Sequence, residues 1–358
     1  MTEPNATDPT TKQAVPVFKG KRLLVLTLVF VGLSGAGLFA VYTQLSDPSV
    51  EFEGEILSIP AVVMGLALLP VYFAADGLRL WFTLRALGHR VGLRDMARLV
   101  FLNIFVSNIT PMATGGGFAQ VWFLRRHGVP VGTAFTATTI RTVLAVLFIF
   151  GATPVLLLTL PGAEQAAKQN GFMMEALVIC VTLYAGFFLV LLFKPHWLSL
   201  PLIRGLNGLR RAHLISASRH HRWLTRLVRE TRRFTDGFRQ YFRGSPVDIL
   251  ASWVMTAVFL LALFSFPAFI CWALGYTLDY WLVVGRMVVI TFVMYFSPTP
   301  GASGIAEGVF GHFFSGSLIA SHLVLVIIVW RALTIYVGMA IGLIVTQHEL
   351  ARKTGDSQ

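Results

Sequence analysis

Two proline-and-glycine breaks interrupt otherwise apolar stretches of this chain, and they resemble each other. The first reads Pro111-Met-Ala-Thr-Gly-Gly-Gly117 and the second Pro298-Thr-Pro-Gly-Ala-Ser-Gly304. A single offset of 187 residues lays Pro111 on Pro298, Gly117 on Gly304, Ala119 on Ala306, Gln120 on Glu307 and Phe123 on Phe310. One arginine follows each break inside the next hydrophobic segment, Arg141 and Arg331. A membrane chain that breaks matching helices in its two halves is usually making room for something polar near the midplane.

Hydrophobic residues make up 55% of the chain and charged residues only 13%, which fits a bilayer and not an ordinary soluble core. A crossing needs roughly 20 apolar residues. The candidates are Leu23 to Tyr42, Ala61 to Phe82, Thr133 to Leu160, Met173 to Phe193, Ile249 to Leu274, Trp281 to Phe296 and Leu323 to Val345. The expected fold is an all-α polytopic membrane protein with about 7–9 membrane segments, re-entrant or broken helices included, built as an inverted internal repeat. The first segment is read as a retained anchor, since no small-residue cleavage pattern follows it. Cys180 and Cys271 both lie in apolar segments, so no disulfide framework is expected.

Lysine and arginine flanking membrane segments stay on the cytoplasmic side. Of the 29 basic residues, 24 fall in five regions: the tail, Arg85 to Arg98, Arg125 and Arg126, Lys194 to Arg243, and Arg352 with Lys353. The segments between Tyr42 and Pro60, Pro161 and Gly171, and Gly275 and Tyr280 carry one lysine, Lys168, and acidic residues such as Glu51, Glu53 and Asp279. Arg79, Arg141, Arg286 and Arg331 fall within apolar segments. Both termini are therefore expected in the cytoplasm. The chain divides into a tail (1–20), an N-terminal membrane half (21–193) with a cytoplasm-facing hairpin at 100–125, and a basic linker (194–246). A C-terminal half (247–346) with an outward-facing hairpin at 281–319 and a tail (347–358) complete it. Phe101 to Ile109 is a short arm of about 14 Å, which makes a re-entrant hairpin. The outer break has longer arms, Trp281 to Phe296 and Ile305 to Ile319, which make either a re-entrant hairpin or two tight crossings.

Proline and glycine at the breaks leave backbone groups that lipid does not satisfy, so those groups either line a polar cavity or sit in tight interhelical turns. Helices restarting near Gly116 and Ser303 would aim N–H groups at an anion such as phosphate. Arg141 and Arg331 fall near mid-depth, where an arginine must meet a carboxylate, carbonyls or water. Glu307 is one candidate partner, and Asp76 with Arg79 one helical turn on is another internal pair. These groups either bind a substrate or form ion pairs that only tie helices together. The linker repeats Trp223, Leu224, Leu227, Val228, Phe234, Phe238, Tyr241 and Phe242 at helical spacing with a cationic face, which marks either an amphipathic helix on anionic lipid or a plain topological connector. Nucleic acid is not an expected partner, and no ATP-binding, zinc-protease or thiol-redox motif is present, so no cofactor is expected.

Asn108-x-Thr110-Pro111-x-x-Thr114-Gly115-Gly116-Gly117, the Arg141 segment and Ser297-Pro298-x-Pro300-Gly301-x-Ser303-Gly304-x-x-Glu307 resemble the hallmarks of the lysylphosphatidylglycerol synthase transmembrane-domain family. Its best-known members form the flippase half of the multiple peptide resistance factors. The similarity runs from about residue 20 to 350. It implies a non-enzymatic flippase or scramblase in a bacterial cytoplasmic membrane, moving an anionic or aminoacylated lipid head group. On that reading Arg141, Arg331, Glu307, Asp76, Arg79, Asn108, Thr110, Gly115, Gly116, Gly117, Ser303 and Gly304 bind substrate, while Pro111, Pro298, Pro300 and Gly301 make the breaks.

Two departures stand out. The second motif reads Pro-Gly-Ala-Ser-Gly where Pro-Gly-Gly-x-Gly is commoner, and the sequence runs to Gln358 without the aminoacyl-transferase domain of bifunctional members. Synthesis of lysylphosphatidylglycerol by that route is thus not expected. The partners implied are membrane lipids, namely anionic phospholipid, aminoacyl-phosphatidylglycerol or a polyprenyl-phosphate-linked lipid, together with a second copy of the chain or a separate lipid synthase. The alternative function is an integral-membrane transferase or a synthase-partner subunit acting on polyprenyl-phosphate or phospholipid.

Overall fold

The computed structural model describes residues 58–159 and 236–355, with scattered positions elsewhere. All regular structure among the described residues is helical. Nearly all of the segments Leu23 to Tyr42 and Met173 to Phe193, the N-terminal tail, residues 356–358 and most of the basic linker lie outside the described residues.

Helix α1 (Ile59–Ala86) and helix α5 (Pro246–Ala273) each have 28 residues. At 1.5 Å per residue each is about 42 Å long, more than the roughly 30 Å of a hydrocarbon core. Proline stands in the first turn of both, where backbone N–H groups have no intrahelical acceptor. Both stop the same way. Gly88 and Gly275 take the left-handed conformation (φ 82° each), and His89 N–H and Tyr276 N–H reach back to the carbonyls of Leu84 and Cys271. The two helices pack antiparallel along the most extensive interface among the described residues. Ser58 N–H donates to Ala273 O at one end, and Arg85 Nε meets Asp248 Oδ1 at 3.2 Å at the other.

After each of these helices comes a broken hairpin and then a long helix. In the first half these are α2 (Leu93–Ile109), a 3₁₀ turn (Pro111–Ala113), α3 (Thr114–Arg126) and α4 (Val131–Thr159). In the second they are α6 (Tyr280–Met294), a 3₁₀ turn (Pro300–Ala302), α7 (Ile305–Phe314) and α8 (Ala320–Arg331). A π-helical turn (Ala332–Tyr336) then joins α8 to α9 (Val337–Gly355) without a stop. Ile59 and Pro246, Leu93 and Tyr280, and Gly88 and Gly275 are each separated by 187 residues, so the repeat read from the breaks extends back through the whole preceding helix.

The α2–α3 hairpin opens at the end of the molecule where α1 finishes and α9 arrives, since Arg126 donates to Glu349 O at 2.8 Å. The α6–α7 hairpin opens at the opposite end, beside the stop of α5, where Ile319 N–H and His322 Nδ1 lie within hydrogen-bond reach of Tyr276 Oη. The hairpins are thus inverted, and their 3₁₀ tips pack against each other inside the bundle. Arm lengths differ from the sequence reading: the α2–α3 arms have 17 and 13 residues, the α6–α7 arms 15 and 10. The polar first turn with Arg94, Asp95 and Arg98 is helical too, so the hydropathic length understated α2, while Ser315 ends α7 early.

Close packing of α9 on α2 depends on two glycines four apart. A Cβ at Gly342 would lie 2.1 Å from Phe101 O, and one at Gly338 would lie 3.0 Å from the Ile104 side chain. Outward positions of the long helices stay apolar, as at Val63, Leu66, Leu250, Val254 and Ile344, which suits lipid and not water. The end of the linker departs from expectation. Phe238 and Tyr241 are buried in protein, with Tyr241 Oη 2.6 Å from Ser252 Oγ, so this turn is a wedge and not a face resting on a leaflet.

Candidate functional site

Each break is built from the same local geometry. Thr110 and Thr299 are extended, a proline follows, and the next two residues turn left-handed: Met112 (φ 53°) and Ala113 (φ 53°) in one, Gly301 (φ 57°) and Ala302 (φ 53°) in the other. Ala113 N–H donates to Thr110 O and Ala302 N–H to Thr299 O. Pro111 therefore corresponds to Pro300, an offset of 189 residues, and not to Pro298. The two-residue slip arises because α6 ends at Met294 and a Phe296-Ser297-Pro298 link precedes the turn.

The helices restart at Thr114 and Ile305, with the first amides already engaged. Gly115 N–H donates to Thr110 Oγ1 at 3.0 Å, and Gly304 N–H (φ 84°) donates to Glu307 Oε2 at 2.7 Å. The anion at the second helix start is thus the chain's own carboxylate. Gly115 and Gly116 are needed for closeness: a Cβ there would meet Thr110 at 2.6 Å and Ser107 Oγ at 1.8 Å. Gly117 faces open space. Ser303 Oγ donates to Pro300 O and Asn108 Nδ2 to Ile104 O, so both brace backbone.

Two charged clusters follow. In one, Asp76 of α1 holds both Arg79 of its own helix and Arg141 of α4. Arg141 Nη2 lies 2.5 and 2.6 Å from the two Asp76 oxygens, and Arg79 donates through Nε (2.9 Å) and Nη2 to Oδ1. Arg79 also stacks on the Phe259 ring, its Cζ 3.8 Å from the centroid. The three side chains are buried, at 3%, 6% and 7% exposure, and together carry one net positive charge. Their donors are not used up, because Arg79 Nη1 and Arg141 Nε are buried without a partner.

Asp76 and Arg141 line a narrow cleft with Asn103 and Met96 of α2 and Gln120 of α3, too tight in this conformation for a water-sized sphere. The polar cavity, one of the two sequence readings, has no open volume here. Asn103 Oδ1 accepts Gln120 Nε2 (2.5 Å) and the Ser107 hydroxyl (3.2 Å), while Gln120 Oε1 is buried and unpaired. Asn103 and Gln120 are the polar lining residues that the sequence reading did not place in the site. The signal for Asn103 was an amide inside an apolar run, and for Gln120 its alignment with Glu307.

The other cluster pairs Arg331 with Glu307, both at 0% exposure. Arg331 Nε donates to Glu307 Oε1 at 2.9 Å, and Nη1 and Nη2 each donate to Gly301 O at 3.0 Å. Its charge is balanced and every guanidinium nitrogen is engaged. The predicted site residues therefore separate into two groups instead of forming one. Among the described residues no His, Cys, Asp and Glu group fits a metal ion.

Helix-breaking hairpins entering from opposite ends, with an ion cluster beside each, define a polytopic all-α membrane protein of inverted-repeat construction. The chain belongs to the family described as the lysylphosphatidylglycerol synthase TM region, whose model matches residues 20–342. It is similar to a UPF0104 membrane protein of Archaeoglobus fulgidus, 25% identical over 267 residues that span 74% of this chain and 79% of that one.

Proposed function

We propose that this protein is a lipid flippase or scramblase that passes a phosphate-bearing head group between leaflets while the acyl or prenyl tails remain in the bilayer. The observation that carries this reading is the Asp76–Arg79–Arg141 cluster: an excess positive charge, buried with unused N–H donors beside a cleft. A charge at that depth is costly unless something anionic shares the site for part of the cycle. Phosphate oxygens would complete Arg141 Nε and Arg79 Nη1, with Asp76 bridging the two guanidiniums when the site is empty.

The cleft lies between α1 and α4 on one side and the α2–α3 hairpin on the other, so movement of that hairpin opens it. Ties at each end would act as gates. At one, Arg98 faces Asp95 (3.4 Å) and Glu349 (4.0 Å); at the other, Arg286 donates to Ser317 Oγ (2.8 Å). The excess of lysine and arginine at the first of these ends supports a cytoplasmic location for it and for both termini, in a bacterial cytoplasmic membrane. The protein acts without enzymatic chemistry, alone, as a homo-oligomer or beside a separate lipid synthase.

The test is leaflet transfer of labelled phospholipid in vesicles containing the purified protein. Arg141→Ala should abolish transfer while the protein still inserts and melts cooperatively. Transfer at the wild-type rate by this variant would remove the site assignment.

A further inference from the structure

The charges and unpaired atoms around the cleft also restrict the head group, given the transport reading on which this inference rests. The Asp76–Arg79–Arg141 cluster has one surplus positive charge, which one phosphodiester anion would neutralise. A phosphomonoester or diphosphate would bring more negative charge than the cluster offsets. An ammonium-bearing head group would need a carboxylate, and among the described residues the carboxylates of the two buried clusters are both taken. Asp76 is shared by two guanidiniums, and Glu307 is saturated by Arg331 and Gly304 N–H. What the cleft offers beyond the cations is neutral: Gln120 Oε1, 5% exposed as a residue and unpaired, whose amide is held by Asn103 Oδ1. An uncharged amide oxygen accepts a hydroxyl proton without requiring a cation.

We infer that the cleft takes a monoanionic phosphodiester lipid with an uncharged, hydroxyl-bearing head group, with Gln120, positioned by Asn103, as the specificity-determining residue. Arg141 and Arg79 hold the phosphate, and Gln120 Oε1 accepts a head-group hydroxyl. Glycerol on a phospholipid and a sugar on a polyprenyl phosphate share this chemistry. Phosphatidylethanolamine and aminoacylated phosphatidylglycerol differ from it by an ammonium group, and phosphatidic acid by a second ionisation.

Two measurements on the purified full-length protein separate this inference from the transport reading. The first titrates short-chain phosphatidylglycerol, a short-chain prenyl-phosphoryl sugar, phosphatidylethanolamine, lysylphosphatidylglycerol and phosphatidic acid, with affinity read by calorimetry. At least one of the first two should bind about tenfold or more tightly than each of the last three, and which of the two binds tells phospholipid from polyprenyl source. Gln120→Leu should reduce that preference to near one. Gln120→Glu, nearly isosteric, should reverse it toward the ammonium lipids, and this gain keeps the idea testable if the leucine variant fails to fold.

The second measurement is leaflet transfer of the same lipids in vesicles. Preferential binding without transfer would leave the site and sink the transport reading. Transfer with equal binding of ethanolamine and glycerol lipids, or a Gln120→Glu variant with unchanged preference, would overturn the specificity inference alone. Neither binding nor transfer would end both.

Discussion

The two charged clusters are built around arginines on corresponding helices of an inverted repeat, Arg141 on α4 and Arg331 on α8, yet they differ in almost every physical respect. Glu307 and Arg331 are sealed from solvent, neutral as a pair and fully hydrogen-bonded, and Arg331 also takes the carbonyl of Gly301 that the broken backbone leaves over. Asp76, Arg79 and Arg141 are charged as a group, retain two unused donors and border a cleft. A buried pair whose geometry satisfies both ions holds a structure in one arrangement; an unbalanced cluster persists only where another charge visits. The lesson is that a duplicated framework has given one half a clamp and the other half a cluster with unused donors, where the proposed binding site lies.

The widest separation between the halves should come from breaking the clamp. Arg331→Ala leaves Glu307 buried and uncompensated and should cost about 3–5 kcal/mol, read as a lowered melting temperature in detergent. The double variant Arg331→Met with Glu307→Leu should recover most of it. An unchanged melt in Arg331→Ala would mean that the pair clamps nothing. The binding half should respond the other way: Arg141→Gln is expected to slow lipid transfer about tenfold or more, while costing less stability than Arg331→Ala. Equal losses of stability in the two variants would erase the distinction.

Glycines at the two breaks refine the contrast by a smaller amount. Gly116→Ala forces Ser107 and Asn103 aside and should destabilise by about 1–3 kcal/mol, with transfer reduced because Gln120 loses its support. Gly304→Ala acts through backbone strain at φ 84° and should cost about 1–3 kcal/mol without altering lipid preference. Gly117→Ala, in open space on helix α3, should stabilise by about 0.5–1 kcal/mol. A large effect there would point to a partner or lipid lying against that face.

Membrane-spanning helices, paired breaks and inverted hairpins were legible in the sequence because each leaves a local mark: apolar length, a proline with glycines, a bias in arginine. Glu307 was legible as a partner for an arginine because a carboxylate in an apolar segment has few alternatives. What pairs across distant helices was not. Nothing local to Arg141 points to Asp76, 65 residues away, instead of Glu307. Asn103 and Gln120 carried weak signals, but nothing joined them until α2 and α3 closed on each other through Gly115 and Gly116. The register of the second break was misread by two residues, because matching prolines by spacing cannot show which one begins the turn.

The π-helical turn after Arg331 has a consequence for how one continuous helix faces two ways. A residue added to a turn rotates everything beyond it by about 100° relative to an uninterrupted α-helix. Upstream of it, Arg331 looks toward Gly301; downstream, Gly338 and Gly342 lie flush on the first hairpin, and the hydroxyl of Tyr72, one turn before Asp76, reaches the Thr334 carbonyl within the widened turn at 3.4 Å. Deleting one residue between 332 and 336 would swing that glycine stripe away from the hairpin and set side chains against it, so the swivel lets a single rod serve as lock for one half and as bearing for the other.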